Sequence, residues 1–359
     1  MRRLLGMKMG ISSVKRTSML ACVVFGFNMA VVAQATTEVC GPIYQKFLDN
    51  RKGPELEKYK LAVTTGKEYL EKCKSLEEST EITDYVQKQL PNVEKTVKIK
   101  ALEARFDQSI PKRNWDEAFS TGKELLSLSR PYELDMLLVL AFIGFDGAAG
   151  NPPVDKFKDD TIKYAKLALQ KLESGVKSEN YGFFQITYKT SACDDGKTNA
   201  IGWMNYTIGF ITVVRNNQRT EGLPYLFKAT QVGCDTKRFS EAYRLIGAWY
   251  LDGMIRINDD RAAKFKLAGD KDTEETKQLY ALQLGYADRA IDAYARAYKL
   301  AVANQKASQP YKEGILKKLQ ELVDFRFDGK RDGIEAFIND VETHPFPDPS
   351  IAVNPVINP

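Results

Sequence analysis

Two short motifs in the C-terminal half of the chain constrain the fold most. The first places an aromatic residue, an aliphatic residue, a glycine and a second aromatic residue at helical spacing: Tyr243, Ile246, Gly247 and Tyr250. The second alternates small and large residues at helical spacing: Ala290, Tyr294 and Ala297. Such spacing is typical of one face of a helix. The motifs therefore predict two helices, separated by an insertion at residues 253–271.

The paired motifs resemble those of the tetratricopeptide-repeat family, whose hairpins carry W-x2-L-G-x2-Y on the first helix and A-x3-F-x2-A on the second. One such hairpin cannot bury its own apolar face, so neighbouring hairpins must stack. The resemblance implies an all-α fold over residues 36–343, a right-handed superhelical array of about six antiparallel helix hairpins. The chain departs from the family in its irregular repeat length and its long insertions.

The rest of the chain has mostly helical periodicity and few strand signals. Residues 61–70 reappear as residues 117–126, and both copies place an alanine and a glycine on one helix face, where a neighbouring helix can approach closely. Glu68 and Glu124 stand where a phosphate-binding loop needs Ser or Thr, which argues against nucleotide binding. Residues 174–200 form an irregular insertion. The proline-rich residues 344–359 predict an extended, partly disordered tail.

Residues 1–35 predict a signal peptide. Basic side chains precede an apolar run at residues 19–32, which ends in the small-x-small pattern of residues 33–35. The run of about 14 residues is shorter than the roughly 20 needed to cross a bilayer, so a retained membrane anchor is the weaker alternative. Lipidation at Cys22 is a second alternative, although this cysteine lies early in the run. No transmembrane segment is expected once the leader is cleaved.

The net charge of the chain comes from this leader. The full sequence has 52 basic and 47 acidic side chains, a net charge of +5, and the leader carries five basic and no acidic residues. The remainder is therefore neutral. Proteins that bind nucleic acid need a concentrated excess of Lys and Arg to neutralise phosphates. A nucleic-acid partner is not expected.

Four cysteines follow the leader, an even number that suits a compartment where disulfides persist. Cys40 precedes one predicted helix and Cys73 ends the next, and these two ends meet in an antiparallel hairpin. Cys193 and Cys234 flank a second helix pair in the same way. We predict the pairs Cys40–Cys73 and Cys193–Cys234, with free buried thiols in a reducing compartment as the alternative. The two predicted disulfides agree with an exported, periplasmic or extracellular protein.

Catalytic motifs are scarce in the sequence. The sole histidine, His344, lies in the proline-rich tail, which removes the Ser-His-Asp and Cys-His arrangements and the usual zinc ligand. Carboxylate-only chemistry on a glycan needs just one or two placed acids, and no spacing of Asp and Glu selects a pair. We expect no enzyme, no cofactor and no metal site, with a glycan-active enzyme as the weaker alternative.

The family resemblance also implies a groove lined by the first helix of each hairpin. On the helix that begins near Tyr243, the groove positions are Glu241, Arg244, Ala248 and Leu251, with Asp252 beside them. Alignment of residues 208–209 with residues 246–247 adds three aromatic residues to this surface: Trp203, Tyr206 and Phe210. The alternative is that these aromatic residues belong to the core.

The function implied by the resemblance is a non-catalytic scaffold that binds a protein or peptide in the cell envelope. Aromatic rings beside a charged pair suit a peptide, because rings give contact area at low entropic cost and an arginine fixes orientation. They also suit a sugar, so capture of a glycan is the alternative. The aromatic-rich residues 181–188 are where a sugar site would be expected.

Overall fold

The computed structural model describes residues 37–75, 79–128, 133–177, 188–191, 193–232 and 234–356. The predicted signal peptide, Cys22 and residues 181–187 of the aromatic-rich insertion lie outside this part of the chain. The described residues form α-helices joined by short turns, and no strand occurs among them, so the predicted all-α class is confirmed. Within the same ranges, the helices all fall short of the combined length and hydrophobicity that a membrane span requires.

The described residues form thirteen α-helices, counted in chain order. Their bounds are α1 Thr37–Asn50, α2 Leu56–Lys72, α3 Thr80–Ser109, α4 Trp115–Leu128, α5 Glu133–Ala148, α6 Lys158–Glu173, α7 Gly196–Phe210, α8 Arg219–Val232, α9 Cys234–Lys237, α10 Ser240–Leu267, α11 Glu274–Ala303, α12 Gln309–Arg326 and α13 Ile334–Asp340. A π-helical turn, Ile211–Arg215, continues α7, and a 3-10 turn, Val341–Thr343, follows α13. The described part of the chain divides between Glu133 and Leu134 into two compact units.

In the first unit each helix packs on the next, α1 on α2, α2 on α3 and α3 on α4. Phe47 and Tyr69 are fully buried between them. The internal repeat occupies equivalent places on α2 and α4, where its small residues are buried: Ala62, Gly66, Ala118 and Gly122. Cys40 in the first turn of α1 is bonded to Cys73 at the end of α2, with Cα atoms 6.1 Å apart, which confirms the first predicted pair.

In the second unit, α7 and α8 pack together, as do α8 and α10, α10 and α11, and α11 and α12. The second predicted pair is also confirmed, because Cys193 before α7 is bonded to Cys234 at the start of α9, with Cα atoms 5.3 Å apart. Asn199 supports this link, since its side-chain amide donates to Asp235 Oδ2 at 2.9 Å and its Oδ1 accepts from the Asp235 amide at 3.2 Å. Asp195 caps the N-terminus of α7 by accepting from two backbone amides.

The two sequence motifs that constrain the fold most face each other across the α10–α11 hairpin. Their seven residues are all buried: Tyr243, Ile246, Gly247, Tyr250, Ala290, Tyr294 and Ala297. The residues between the motifs lengthen the two helices, because α10 continues to Leu267 and α11 begins at Glu274. The hairpin is therefore long, and the insertion at residues 253–271 adds helix rather than a separate loop. Thr273 caps α11 in a capping box with Thr276.

The C-terminal residues 344–356 have no regular secondary structure, as predicted, but they are held against the second unit. Phe346 and Pro349 are buried there, and the Val356 amide donates to the Ala281 carbonyl of α11 at 2.9 Å. The expectation of partial disorder is thus wrong for these residues. The tail is held in place by apolar burial, since a free tail would expose the Phe346 ring to water.

Candidate functional site

The groove positions implied on α10 lie along one partly exposed face of that helix. We call this face the α10 strip, and it consists of Glu241, Arg244, Ala248 and Asp252. Residues spaced by three and four positions share a helix face. Most of the intervening residues, including Leu245 and Ile246, are buried in the core of the unit, whereas Trp249 and Leu251 are partly buried. The positions that the tetratricopeptide resemblance assigns to the groove are therefore partly exposed to solvent.

Glu241 and Arg244 form a two-pronged ion pair at the start of the strip. Arg244 Nε lies 2.7 Å from Glu241 Oε2, and Arg244 Nη2 lies 2.6 Å from Glu241 Oε1. The Arg244 side chain is 32% exposed and the Glu241 side chain is 19% exposed, so the pair is neither in bulk water nor fully desolvated. Such paired N–H···O bonds fix the plane of the guanidinium.

A tyrosine from α12 completes this polar cluster. The Tyr311 hydroxyl donates to Glu241 Oε2 at 2.9 Å and lies 3.1 Å from Ser240 Oγ. Burial raises the pKa of Tyr311, and the Glu241 carboxylate raises it further. The hydrogen bond to Glu241 likewise raises the pKa of Arg244 above its ordinary value. At neutral pH the arginine therefore stays charged and the tyrosine stays a protonated donor.

Asp252 lies at the other end of the strip and does not join the cluster. It forms an ion pair with Arg219, in the first turn of α8. Both side chains are about half exposed, at 43% and 44%. Burial raises the pKa of Tyr294 on α11, and the nearby charges of Arg244 and Glu241 act on this pKa in opposite directions. The strip thus takes part in two separate ion pairs, one within α10 and one with Arg219 of α8.

The three aromatic residues aligned with the groove gather around Phe145 of α5. The ring centroid of Phe145 lies 6.5 Å from that of Trp203, 5.6 Å from that of Tyr206 and 5.4 Å from that of Phe210. Tyr206 is 1% exposed and also packs against Phe239 at 4.9 Å, so it belongs to the core and cannot contact a partner. Trp203 and Phe210 are partly buried. The alternative of core residues is therefore correct for Tyr206.

One electrostatic link connects this aromatic cluster to the strip. Burial raises the pKa of Tyr206, and the charge of Glu241 raises it further. The sequence reasoning missed Arg219, Ser240 and Tyr311. Each comes from another helix or a helix end, and no local pattern marks it as a partner of α10.

The groups of the strip are capable of charge pairing and hydrogen bonding. Its groups offer one oriented guanidinium, one exposed ion pair and protonated tyrosine hydroxyls. No group of three or more His, Cys, Asp or Glu side chains is arranged to hold a metal ion within the described ranges.

Comparison with known proteins adds no relative. No family model matches the chain, and neither a curated protein nor a solved structure is similar to it at a significant level.

Proposed function

We propose that this chain is an exported, non-catalytic scaffold that binds a protein or peptide segment in the cell envelope through the α10 strip. The observation that carries this proposal is the partly exposed guanidinium of Arg244, fixed in orientation by Glu241 on the helix face that the tetratricopeptide resemblance assigns to the groove. A superhelical stacking of the hairpins belongs to the same proposal.

A fixed guanidinium is suited to binding a polypeptide. Glu241 engages Nε and Nη2 of Arg244, which leaves Nη1 for a carbonyl or carboxylate of a partner. Because the side chain is already ordered, binding costs little further rotamer entropy. Arginine is among the residues enriched at energetic hot spots of interfaces.

A second feature supports the resemblance on which the proposal rests. Gly247 of α10 receives the ring of Tyr294 from the next long helix, and a Cβ at this glycine would lie 2.9 Å from that ring. Gly209 of α7 receives Leu226 of α8 in the same way, with a Cβ contact of 2.7 Å. These equivalent glycine contacts favour the alignment of residues 208–209 with residues 246–247.

The compartment is part of the proposal. Both disulfides close within helical units, and disulfides persist in oxidising compartments. This supports export, together with the leader predicted at residues 1–35.

The alternative of glycan capture is supported by the partly buried rings of Trp203 and Phe210, since flat rings can stack on sugars. One comparison separates the two functions. The protein is used as bait against envelope extract and, in parallel, against a glycan array. We expect enrichment of one polypeptide with no sugar signal, whereas a sugar signal with no enriched polypeptide would overturn the scaffold.

Variants on α10 connect this test to the strip. Arg244→Ala and Arg244→Lys should both weaken capture, because lysine keeps the charge and loses the two-pronged geometry. Lys266→Ala is the matched control, an exposed cation near the end of the same helix. Capture that survives Arg244→Ala undiminished would remove the strip from the proposal.

A further inference from the structure

The tail runs along α11 in the direction opposite to that helix. His344 Nε2 lies 2.7 Å from Asp292 Oδ2, and twelve positions further along the chain the Val356 amide donates to the Ala281 carbonyl at 2.9 Å. We call the surface beneath it the tail channel. Six residues define it: Tyr243, Tyr250, Ala281, Gly285, Asp292 and Arg296.

An aromatic slot holds the start of the tail. The Phe346 ring lies 5.0 Å from the Tyr243 ring and 6.0 Å from the Phe227 ring, and the Arg296 guanidinium lies 5.2 Å from its centroid. Arg296 Nη2 also donates to the His344 carbonyl at 2.8 Å. The slot therefore recognises an aromatic side chain and a backbone carbonyl two residues before it.

Gly285 lets the backbone of the tail approach α11. The three atoms nearest to a Cβ built at Gly285 all belong to the tail, and the Asn354 carbonyl oxygen would be only 2.2 Å away. Glycine is unfavourable in the interior of a helix, so its presence here needs a reason. Close passage of an extended peptide supplies that reason, and no neighbouring helix is among those atoms.

The tail leaves one buried donor of the channel unused. The Tyr250 hydroxyl is buried and has no hydrogen-bond partner among the described residues, and its ring centroid lies 6.2 Å from that of Tyr286, the residue next to Gly285 on α11. A buried polar group without a partner is costly. Several tail residues are also exposed, including Pro345, Ser350 and Ile351. The tail is therefore an incomplete ligand for the channel.

We propose that the tail channel is a second peptide-binding site, occupied in cis by the tail. Its ligand is an extended segment of another polypeptide that places an aromatic side chain in the slot and a hydrogen-bond acceptor at the Tyr250 hydroxyl. Tyr243 and Tyr250 lie on the side of α10 opposite to the α10 strip, so this site is independent of the strip.

The unpaired Tyr250 hydroxyl also indicates whether the bound segment comes from a second copy of this chain or from a different polypeptide. The tail of a second copy offers the same contacts as the cis tail, and the cis tail has the advantage of an effective concentration in the millimolar range. An identical tail therefore gains nothing by displacing it. A different segment that satisfies Tyr250 gains a contact that the tail does not make.

The test uses the full chain and a fluorescent peptide with the sequence of residues 344–356, measured by anisotropy. Wild type should bind this probe weakly, because its channel is occupied. Phe346→Ala loosens the cis tail and should bind the probe about tenfold more tightly or better, since apparent affinity scales with the open fraction. Ile351→Ala, at an exposed tail position, should behave as wild type.

Two further variants test the channel itself. Gly285→Val in the Phe346→Ala background should abolish probe binding while circular dichroism shows an unchanged helical spectrum. In a set of peptides derived from the tail probe, a side chain that accepts a hydrogen bond is placed at each position in turn. Some of these peptides should bind more tightly than the tail probe itself. Tyr250→Phe should weaken the binding of those peptides about tenfold and leave the binding of the tail probe unaffected.

Three results would overturn the proposal. The first is a Phe346→Ala protein that binds the probe no better than wild type. The second is a Gly285→Val variant that keeps the binding. The third is a wild-type dimer in light scattering that Phe346→Ala abolishes, since this would mean exchange of tails between copies. Because none of these variants touches the α10 strip, failure here is distinguishable from failure of the scaffold function.

Discussion

Gly247 of α10 faces the ring of Tyr294 of α11, and a Cβ built on this glycine would lie 2.9 Å from Tyr294 Cδ2 and 3.1 Å from Cε2. Ala293 Cβ lies next, at 3.3 Å. The glycine thus sets how closely the two helices of the long hairpin approach. Because Tyr294 is itself buried, its ring has little room to move aside.

Gly247→Leu should therefore destabilise the protein, by about 1–3 kcal/mol for an overpacked core site. Urea unfolding followed by circular dichroism measures this change. Gly314→Ala on α12 is the control, because no atom lies within 4 Å of a Cβ there, and it should be neutral or stabilising by up to about 1 kcal/mol. Equal effects of the two substitutions would contradict close packing at Gly247.

The two disulfides should each contribute separately to stability. The bonded cysteines are separated by 33 and 41 residues, and loops of this size are worth about 3–4 kcal/mol in the chain-entropy description. Replacing Cys193 and Cys234 together by serine should lower the free energy of unfolding by this order, and so should the pair Cys40 and Cys73. Thiol titration in denaturant should find only Cys22 reactive in the full-length chain. Reactivity of any other cysteine without reductant would refute the pairing.

Asp107 on α3 should make stability depend on pH in the acid range. Burial raises the pKa of this carboxyl to about 6, and the nearby Glu103 carboxylate adds to the shift. The folded state therefore binds the proton more tightly than the unfolded state, whose carboxyl titrates near 3.9. The contribution of Asp107 to stability falls as pH rises from about 4 to about 6, and the penalty persists above that range.

Asp107→Asn should remove this pH dependence and stabilise the protein at neutral pH by about 1 kcal/mol, a figure reduced for the partial exposure of the site. Urea unfolding at several pH values provides the measurement. Asp84→Asn is the control, because Asp84 is an exposed aspartate of the same helix. A stability gain that is the same at pH 4 and pH 7 would show that Asp107 does not act through its charge.

Contacts between neighbours in the chain were accessible from the sequence. Cys40 and Cys73 could be paired because the outer ends of an antiparallel hairpin must meet. The family resemblance also named a partly exposed face of α10, from Glu241 to Asp252, and the motif at Tyr243 lies on a buried face. In each case the residues concerned lie on a single helix or within one hairpin.

Contacts between distant parts of the chain were not accessible. The Tyr311 hydroxyl that binds Glu241 lies 70 positions further along the chain, and Phe346 reaches Tyr243 from beyond the last helix. Helical periodicity says which face of a helix is buried, but not which helix or tail buries it. Tyr206 shows the same limit, since its alignment with a groove position could not reveal that Phe145 and Phe239 cover it.

The ion pair between Asp292 and Arg296 of α11 lies beneath the tail and is nearly buried. Arg296 Nε lies 2.7 Å from Asp292 Oδ1, and the side chains are 7% and 9% exposed. Asp292 Oδ2 also faces His344 Nε2, and Arg296 Nη2 donates to the His344 carbonyl. Each member of the pair therefore holds the partner charge and one atom of the tail.

Arg296→Met should cost about 3–5 kcal/mol, because it leaves the Asp292 carboxylate buried without its partner. The double variant Arg296→Met with Asp292→Leu should be more stable than Arg296→Met alone, since it removes both charges together. Lys318→Met, in the half-exposed pair with Glu321, should cost less than about 1 kcal/mol and serves as the control. Tryptophan fluorescence during urea unfolding measures all three. If the double variant were less stable than Arg296→Met alone, then Asp292 would be stabilised by groups other than Arg296, and the pair would not be the unit that holds the tail.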